Sequence, residues 1–227
     1  HLSIRDSLLE ECYEVLEALD AGDNAELKTE LGDLLLQVVF HARIAAENGD
    51  FTIGDVIEGI VSKLVRRHPH VFGDKEAGNA ADVLRHWEDI KKTERPENTS
   101  MLDGAPKAMP ALAYSQEIQG RVARVGFDWS DDSGVLDKLV EEIAELKQAD
   151  TAAEREEEFG DILFTMVNYG RRQGIDAESA LRSAGRKFYN RFKAMENYCC
   201  EQGISFKELS FQQQNELWER VKTEKST

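Results

Sequence analysis

Two short segments of the chain place a Glu and an Asp three residues apart, separated by an apolar residue and a glycine. They are ELGD at 30–33 and EFGD at 158–161. Side chains three residues apart share one face of an α-helix, so each segment directs two carboxylates to the same side. The two charges repel each other, and apolar neighbours make them harder to solvate. A cation bound by both carboxylates would compensate this charge.

A second pair of acidic residues precedes EFGD. Glu142 and Glu145 are also three residues apart, and a short connection should make the two helices antiparallel neighbours. Four carboxylates would then converge in one groove. Such oxygen ligands suit Mg²⁺ or Mn²⁺ better than zinc, and Mg²⁺ usually completes its shell with water and substrate phosphates. The spacing therefore predicts metal ions that bridge the protein and a polyphosphate.

Four segments recur in the same order in the two halves of the chain. LLEECYEVLEAL at 8–19 matches LVEEIAELKQA at 139–149, and an acidic segment follows each. KLVRR then matches KFYNR, and WEDIK matches WERVK. This order indicates an internal duplication in which each half forms a four-helix bundle. We expect an N-terminal domain at 1–96, a linker at 97–109 and a C-terminal domain at 110–227.

Helix-capping residues and glycines divide the chain into nine predicted helices. No stretch shows the sustained two-residue alternation of a β-strand, so the expected fold class is all-α. The segment HPHVFGD at 68–74 is predicted to be a loop. The predicted helices begin at Ser3 or Asp6, Asn24, Thr52 and Asn79, after Pro110, near 134 and 151, at Asp176 and near Phe206.

Cationic and aromatic side chains follow each acidic segment. Lys187 and Arg191 share a face of the eighth predicted helix and would neutralise phosphate oxygens. Trp218 and Lys222 share a face of the ninth, where the indole can stack on a base of any kind. Together these features indicate a nucleoside triphosphate substrate and broad base specificity. The predicted substrate-binding residues are Lys187, Arg191, Trp218 and Lys222, with Lys63, Arg67, Trp87 and Lys91 as their counterparts in the first half.

The charge and the cysteine content exclude several classes of protein. The chain carries 44 acidic and 28 basic residues, a net charge of -16, which disfavours binding to nucleic acids and anionic membranes. Apolar runs such as LLLQVVF are too short to cross a bilayer. Cys199 and Cys200 are adjacent and Cys12 is the third cysteine, which indicates reduced thiols and a cytoplasmic protein.

The acidic segments resemble the signature of a known family. EECYE with ELGD, and EEIAE with EFGD, are similar to the EExxE…ExxD signature of MazG-type nucleoside triphosphate pyrophosphohydrolases. RRHPHVF, HWEDIK, VGFDW and KFYNRF extend the resemblance over almost the whole chain. The resemblance implies Mg²⁺-dependent hydrolysis between the α- and β-phosphates, which gives a nucleoside monophosphate and pyrophosphate. It also implies a homodimer and a role in removing unwanted nucleotides or adjusting nucleotide pools.

The chain departs from the family pattern in two ways. Family members usually have a CPWD-like segment before the first acidic helix, and this chain starts after that point, so the first bundle is expected to lack its first segment. Asn168 lies seven residues past Asp161 on the same helix face, whereas its counterpart is Phe40, which we expect to pack. We therefore expect Asn168 to bind substrate or a ligand carboxylate, and the second half to carry the main activity.

Carried over by position, the resemblance implies metal ligands in both halves. One carboxylate of the set could also orient the attacking water, and the sequence does not distinguish which. The implied ligands are Glu142, Glu145, Glu158 and Asp161, which also carry catalysis, and Glu11, Glu14, Glu30 and Asp33.

Two alternative functions stay open at this point. The chain could be a helical regulatory protein that binds nucleotide or metal without turnover, although intact carboxylates in both repeats argue against it. The same chemistry could also act on a narrower substrate, such as dUTP or an oxidised nucleotide. The sequence fixes neither the base preference nor the number of metal ions.

Overall fold

The computed structural model describes residues 1–72 and 100–224, and within these ranges it contains helices and turns but no strand. The predicted all-α fold is therefore confirmed. The chain divides into two units, His1–Thr99 and Ser100–Thr227. The division falls inside the segment predicted as a linker, and the limits of the two domains stay a prediction. The helix predicted from Asn79, with Trp87 and Lys91, lies outside the described residues.

The first unit is built on a pair of long antiparallel helices that pack along each other. Gly22 ends the first of them in the left-handed conformation, at φ 68°, and lets the chain reverse. Asp23, rather than the predicted Asn24, caps the second, because its side chain accepts the N–H groups of Ala25 and Glu26. The helices of this unit are α1 (Arg5–Ala21, after a 3-10 turn at Leu2–Ile4), α2 (Asn24–Asn48), α3 (Ile53–Arg67) and α4 (Pro69–Phe72).

The segment predicted as a loop after α3 is partly helical. The N–H groups of Val71 and Phe72 both donate to the carbonyl of His68, which closes a helical turn. Pro69 suits the first position of this turn, since a proline there loses no helical hydrogen bond. The prediction of a loop is therefore wrong for Pro69–Phe72.

The second unit contains five longer helices. The second and third of them pack along each other, and the third also contacts the first and the fourth. The fifth packs on the fourth. These helices are α5 (Ala111–Ala123), α6 (Asp132–Gln148), α7 (Ala152–Arg172), α8 (Ala177–Glu201) and α9 (Phe211–Glu224), with a 3-10 turn at Phe206–Glu208 before α9.

The last helix begins later than the sequence predicts. Phe206 starts only a 3-10 turn, and Leu209 is extended. The N–H of Ser210 donates to Gln213 Oε1 at 2.9 Å, and the N–H of Gln213 donates to Ser210 Oγ at 3.3 Å. This reciprocal cap starts a new helix, so the predicted continuous helix from Phe206 is wrong.

A capping box fixes the start of α7 and thereby the direction of its acidic face. Thr151 Oγ1 accepts the N–H of Glu154, whose carboxylate accepts the N–H groups of Thr151 and Asp150. These backbone hydrogen bonds hold the pKa of Glu154 below its usual value. Because the helix cannot easily shift its first residue, Glu158 and Asp161 keep a fixed orientation roughly two turns further along.

Buried apolar side chains form a cluster where α8 and α9 meet. Met195, Cys199, Leu217 and Val221 are buried there, and Trp218 packs against them. All three cysteines are free thiols. None of the described helices combines the length and the apolar content that a membrane-spanning segment needs.

Candidate functional site

Three carboxylates of the second unit meet on the paired helices α6 and α7. Glu142, Glu145 and Glu158 each place one oxygen within 4.8 Å of the others. The three-residue spacing on α6 and the short connection to α7 produce this convergence, as the sequence predicts. Glu142 is buried, Glu158 is half-buried and Glu145 is exposed, so solvent reaches the cluster from one side.

The first unit repeats this arrangement on α1 and α2. Glu11, Glu14 and Glu30 also place oxygens within 4.8 Å of one another. Glu30 is buried, Glu11 is half-buried and Glu14 is exposed. The duplication therefore extends from the sequence to the position of three side chains in each unit.

The fourth predicted ligand of each unit lies outside these three-membered clusters. Asp161 lies close enough for its charge to raise the pKa of Glu158. Asp33 has the same effect on Glu14 and Glu30. Both Asp residues therefore border the clusters without joining their closest contacts.

Burial and neighbouring negative charges disfavour the ionised form of Glu14, Glu30 and Glu158. Burial raises the pKa of Glu158, and the charges of Glu145 and Glu142 raise it further. The pKa values of Glu14 and Glu30 are raised by burial and by neighbouring carboxylates in the same way. Every donor atom is a carboxylate oxygen, the ligand type that hard divalent cations prefer. The clusters therefore fit a divalent metal ion.

Lys138 is part of the second cluster and was not predicted from the sequence. Its Nζ lies 2.9 Å from Glu142 Oε1 and 2.8 Å from Glu141 Oε1. The bonds to Glu141 and Glu142 raise the pKa of Lys138, so the ammonium stays charged. Its position four residues before Glu142 on a helix is the signal that predicts such a pair.

The matching contact differs in the first unit. Ser7 occupies the position four residues before Glu11, so no ammonium can reach that carboxylate from there. Glu11 Oε1 instead accepts a hydrogen bond from Gln37 Nε2 at 3.3 Å. The two clusters thus have carboxylates at equivalent positions but different neighbours. The ammonium of Lys138 lies beside Glu142, whereas the neutral amide of Gln37 lies beside Glu11.

Two of the predicted substrate-binding side chains meet where α8 and α9 pack. The guanidinium carbon of Arg191 lies 5.6 Å from the centroid of the Trp218 ring, a cation–π contact. The Phe188 ring packs on Trp218 with centroids 5.3 Å apart. Trp218 therefore contributes to the apolar cluster of α8 and α9, and its contact with a base stays a prediction.

The other predicted cations lie on the surface of their helices. Lys187 is exposed on α8, and Lys222 Nζ lies 3.2 Å from Glu219 Oε2 on α9. In the first unit, Lys63 is exposed and Arg67 is half-buried in the last two turns of α3. Their contact with phosphate groups stays a prediction.

Asn168 lines a cavity of about 480 Å³ in the second unit. Its Oδ1 accepts a hydrogen bond from Arg171 Nη2 at 3.0 Å. Phe40, at the matching position of the first unit, is 46% exposed. Its side chain lies on a part of α2 that the described helices of its unit leave partly uncovered, so the packing of Phe40 stays a prediction.

Comparison with known proteins identifies the family of this chain. Residues 1–72 match the model of the MazG nucleotide pyrophosphohydrolase domain. The nucleoside triphosphate pyrophosphohydrolase/pyrophosphatase MazG of Thermotoga maritima is 48% identical over 98% of this chain and 86% of its own length. The nucleoside triphosphate pyrophosphohydrolase of Escherichia coli is 45% identical over 94% of this chain and 84% of its own length. The chain, with its two acidic helix pairs, therefore belongs to the MazG family.

Proposed function

We propose that this protein hydrolyses nucleoside triphosphates to nucleoside monophosphates and pyrophosphate, with Mg²⁺ as the cofactor and Mn²⁺ as a substitute. The observation that carries the proposal is the meeting of Glu142, Glu145 and Glu158 oxygens within 4.8 Å on two helices. The names of the two relatives above support the substrate class and the reaction. Broad base specificity and a role in nucleotide pools are part of the same proposal, as the resemblance implies.

Different side chains of the second unit have different roles in this reaction. Glu142, Glu145 and Glu158 would hold the metal, with Asp161 beside them. The chemistry that Mg²⁺ supplies when bound is positive charge beside the phosphate oxygens and an activated water. Hydrolysis also requires that water to be aligned with phosphorus, a task for one carboxylate of the set. Lys138 fixes the orientation of Glu142 by its 2.9 Å contact.

Two features favour the second unit as the main site of hydrolysis. Lys138 adds a positive charge beside its carboxylates, whereas the first unit has Ser7 at that position. The second unit also has the cavity of about 480 Å³ with an aromatic wall. A cavity of about 280 Å³ beside Glu14 and Glu30 in the first unit is lined by acidic residues and alanines. Such a lining offers no aromatic surface for base stacking.

A homodimer is part of the proposal, and exposed apolar side chains support it. Helix α3 presents apolar residues at helical spacing along one face, and all of them are exposed in the single chain. Soluble monomers rarely expose such continuous apolar faces, so a second copy is the expected cover. Sedimentation should therefore give twice the mass of the chain. The residues of this face are Ile53, Val56, Ile57, Ile60, Val61, Leu64 and Val65.

A cytoplasmic location is also proposed. Cys12, Cys199 and Cys200 are free thiols, which suits a reducing compartment.

Product identification tests the proposed reaction. The purified chain is incubated with a panel of ribo- and deoxyribonucleoside triphosphates, with and without Mg²⁺, and the products are resolved. We expect monophosphate and pyrophosphate only when Mg²⁺ is present. Diphosphate with phosphate would contradict the cleavage position, and binding of nucleotide without turnover would instead support a regulatory binding protein.

Mg²⁺ is expected to raise the melting temperature of the protein. At a free Mg²⁺ concentration of about ten times the Kd, binding adds roughly 1.4 kcal/mol to the stability of the native state, a shift of about 3–6 °C. The effect should be largest near neutral pH. The pKa values of Glu14, Glu30 and Glu158 are raised, so the metal-free protein gains stability as the pH falls through these pKa values toward 4.5. Protonation then removes the repulsion that Mg²⁺ removes near neutral pH.

Calorimetric scans at several pH values, with Mg²⁺ or with chelator, measure this shift. The Glu156→Gln variant, which changes an exposed residue of α7, should keep the full response. A melting temperature that is independent of millimolar Mg²⁺, with and without nucleotide, would contradict a metal site at these carboxylates.

A further inference from the structure

The cavity of about 280 Å³ in the first unit is a groove between the paired helices α1 and α2. The lining positions on each helix recur at the three- or four-residue spacing of a single helix face. They extend over seven residues of each helix, so the groove is about 10 Å long. The residues of this acidic groove are Glu14, Glu17, Ala18 and Ala21 of α1, Asp23 at the cap of α2, and Glu26 and Glu30 of α2.

Glu30 is a buried carboxylate of the acidic groove, with only 8% of its surface exposed. Its polar neighbours are themselves acids, namely Glu14, Glu26 and Asp33. No lysine, arginine or histidine of the described residues forms an ion pair with it. A buried carboxylate without a positive partner lowers the stability of the fold. A cation in the acidic groove would offset this cost.

A single metal ion cannot fill the acidic groove. Mg²⁺ contacts oxygens that surround one point at about 2.1 Å. The compact cluster of the first unit meets this condition, but Glu17, Asp23 and Glu26 belong to no such cluster within the described ranges. These three carboxylates instead follow one another along the groove, so several separated positive charges fit them better than one ion.

The rest of the lining is small and apolar. Ala18 is only 3% exposed, and Ala21 lies about one turn further along α1. None of the lining residues carries a positive charge or an aromatic ring. Methyl groups between carboxylates suit a ligand in which methylene chains alternate with ammonium groups. The chain packs on the alanines, and each ammonium donates to a carboxylate.

The second unit lacks this arrangement at the matching positions. Gln148 stands where α1 has Glu17, and Thr151 stands where the cap of α2 has Asp23. Glu154 is retained on α7, but its carboxylate accepts two backbone N–H groups of the capping box. The acidic groove is therefore a feature of the first unit and not of the duplicated carboxylate pattern.

We propose that the acidic groove of the first unit binds a linear polyamine, whose ammonium groups pair with the carboxylates of both helices and whose methylene chain lies along Ala18 and Ala21. The first unit then takes an organic cation, a binding function that the proposed hydrolysis does not use. Glu14 and Glu30 belong both to the acidic groove and to the compact cluster, so Mg²⁺ competes with the polyamine.

Calorimetric titration of the full chain with spermidine, a linear trication, tests this proposal. The buffer holds chelator and no divalent metal, and about 0.1 M salt screens the attraction between separated surface charges beyond roughly 10 Å. We expect one spermidine to bind per chain and to be displaced by Mg²⁺. Butylamine, which has a single ammonium, should bind at least about tenfold more weakly, because it pairs with fewer carboxylates.

Matched pairs of substitutions separate the acidic groove from the general attraction of an acidic protein. Glu17→Gln combined with Glu26→Gln removes two exposed groove charges and should weaken spermidine binding at least about fivefold. Glu58→Gln combined with Glu156→Gln removes the same charge from exposed positions outside the groove and should leave the affinity nearly unchanged. Melting curves verify that both double variants remain folded.

Three results would overturn the proposal. The first is equal weakening of spermidine binding in the two double variants, which would show general attraction to a protein of net charge -16. The second is an equal affinity for butylamine and spermidine, which would show recognition of a single ammonium only. The third is the absence of spermidine binding to the metal-free chain. The measurement is binding alone, so its outcome does not depend on whether the second unit hydrolyses nucleotides.

Discussion

Glu158→Gln should lower the rate of nucleoside triphosphate hydrolysis by at least about 100-fold. Glu158 is the one member of the second cluster that α7 contributes, and its oxygen lies within 4.8 Å of those of Glu142 and Glu145. Glutamine has nearly the same shape but removes one negative charge from the ligand set. A bound metal supplies several kcal/mol of charge stabilisation in such reactions, and about 1.4 kcal/mol corresponds to a factor of ten.

The variant should remain folded, since the change also removes repulsion among the carboxylates. Burial, and then the neighbouring charges, raise the pKa of Glu158, so its ionised form is disfavoured there. Steady-state kinetics and circular dichroism check both expectations. Glu156→Gln, an exposed substitution two residues earlier on the same helix, should keep the activity.

A parallel variant of the first unit tests which site is active. Glu30→Gln changes the equivalent carboxylate of α2 and should cost far less activity than Glu158→Gln. A larger loss in Glu30→Gln would mean that the first unit carries the main hydrolysis. Unchanged hydrolysis in both single variants and in the double variant would reject the carboxylate clusters as the catalytic site.

Arg121→Ala is expected to destabilise the second unit by about 2–3 kcal/mol, because a buried charged side chain and its hydrogen bonds are lost. Arg121 is buried on α5, and its Nε donates to Glu117 Oε1 at 2.7 Å. Its Nη atoms donate to the carbonyls of Met101, Asp103 and Gly104 at 3.0 to 3.2 Å. The alanine variant would leave these carbonyls without their donor and detach the segment before α5.

Urea unfolding measures the loss, and Arg155→Ala provides the control. Arg155 Nη1 also donates to two carbonyls, those of Ala149 and Asp150, but the side chain is exposed. Water replaces such bonds, so the control should lose less than about 1 kcal/mol. Arg121→Lys should recover only part of the stability, because an ammonium cannot reproduce the planar set of donors. Equal losses in Arg121→Ala and Arg155→Ala would show that burial of Arg121 contributes nothing.

Helices and their caps were predictable because the interactions that set them are local. Gly22 ends α1, and Thr52 with Asp55 starts α3, through contacts between residues at most four apart. The late start of the last helix was missed although its signal is also local. Ser210 and Gln213 are three residues apart and form the reciprocal cap, but the helical composition from Phe206 onward favoured an earlier start.

The sequence by itself determined the all-α class, the duplication and the pairs of carboxylates, because a helix converts three-residue spacing into a common face. The short connection between α6 and α7 then made their convergence predictable. Only the tertiary structure decided that Asp161 stays outside the closest cluster, and that Gln119 Nε2 donates to the carbonyl of Phe164, 45 residues away. Within the described residues, Gln119 Oε1 is buried without a hydrogen-bond partner. Those contacts depend on how helices separated in the chain pack, and no short stretch of sequence encodes that packing.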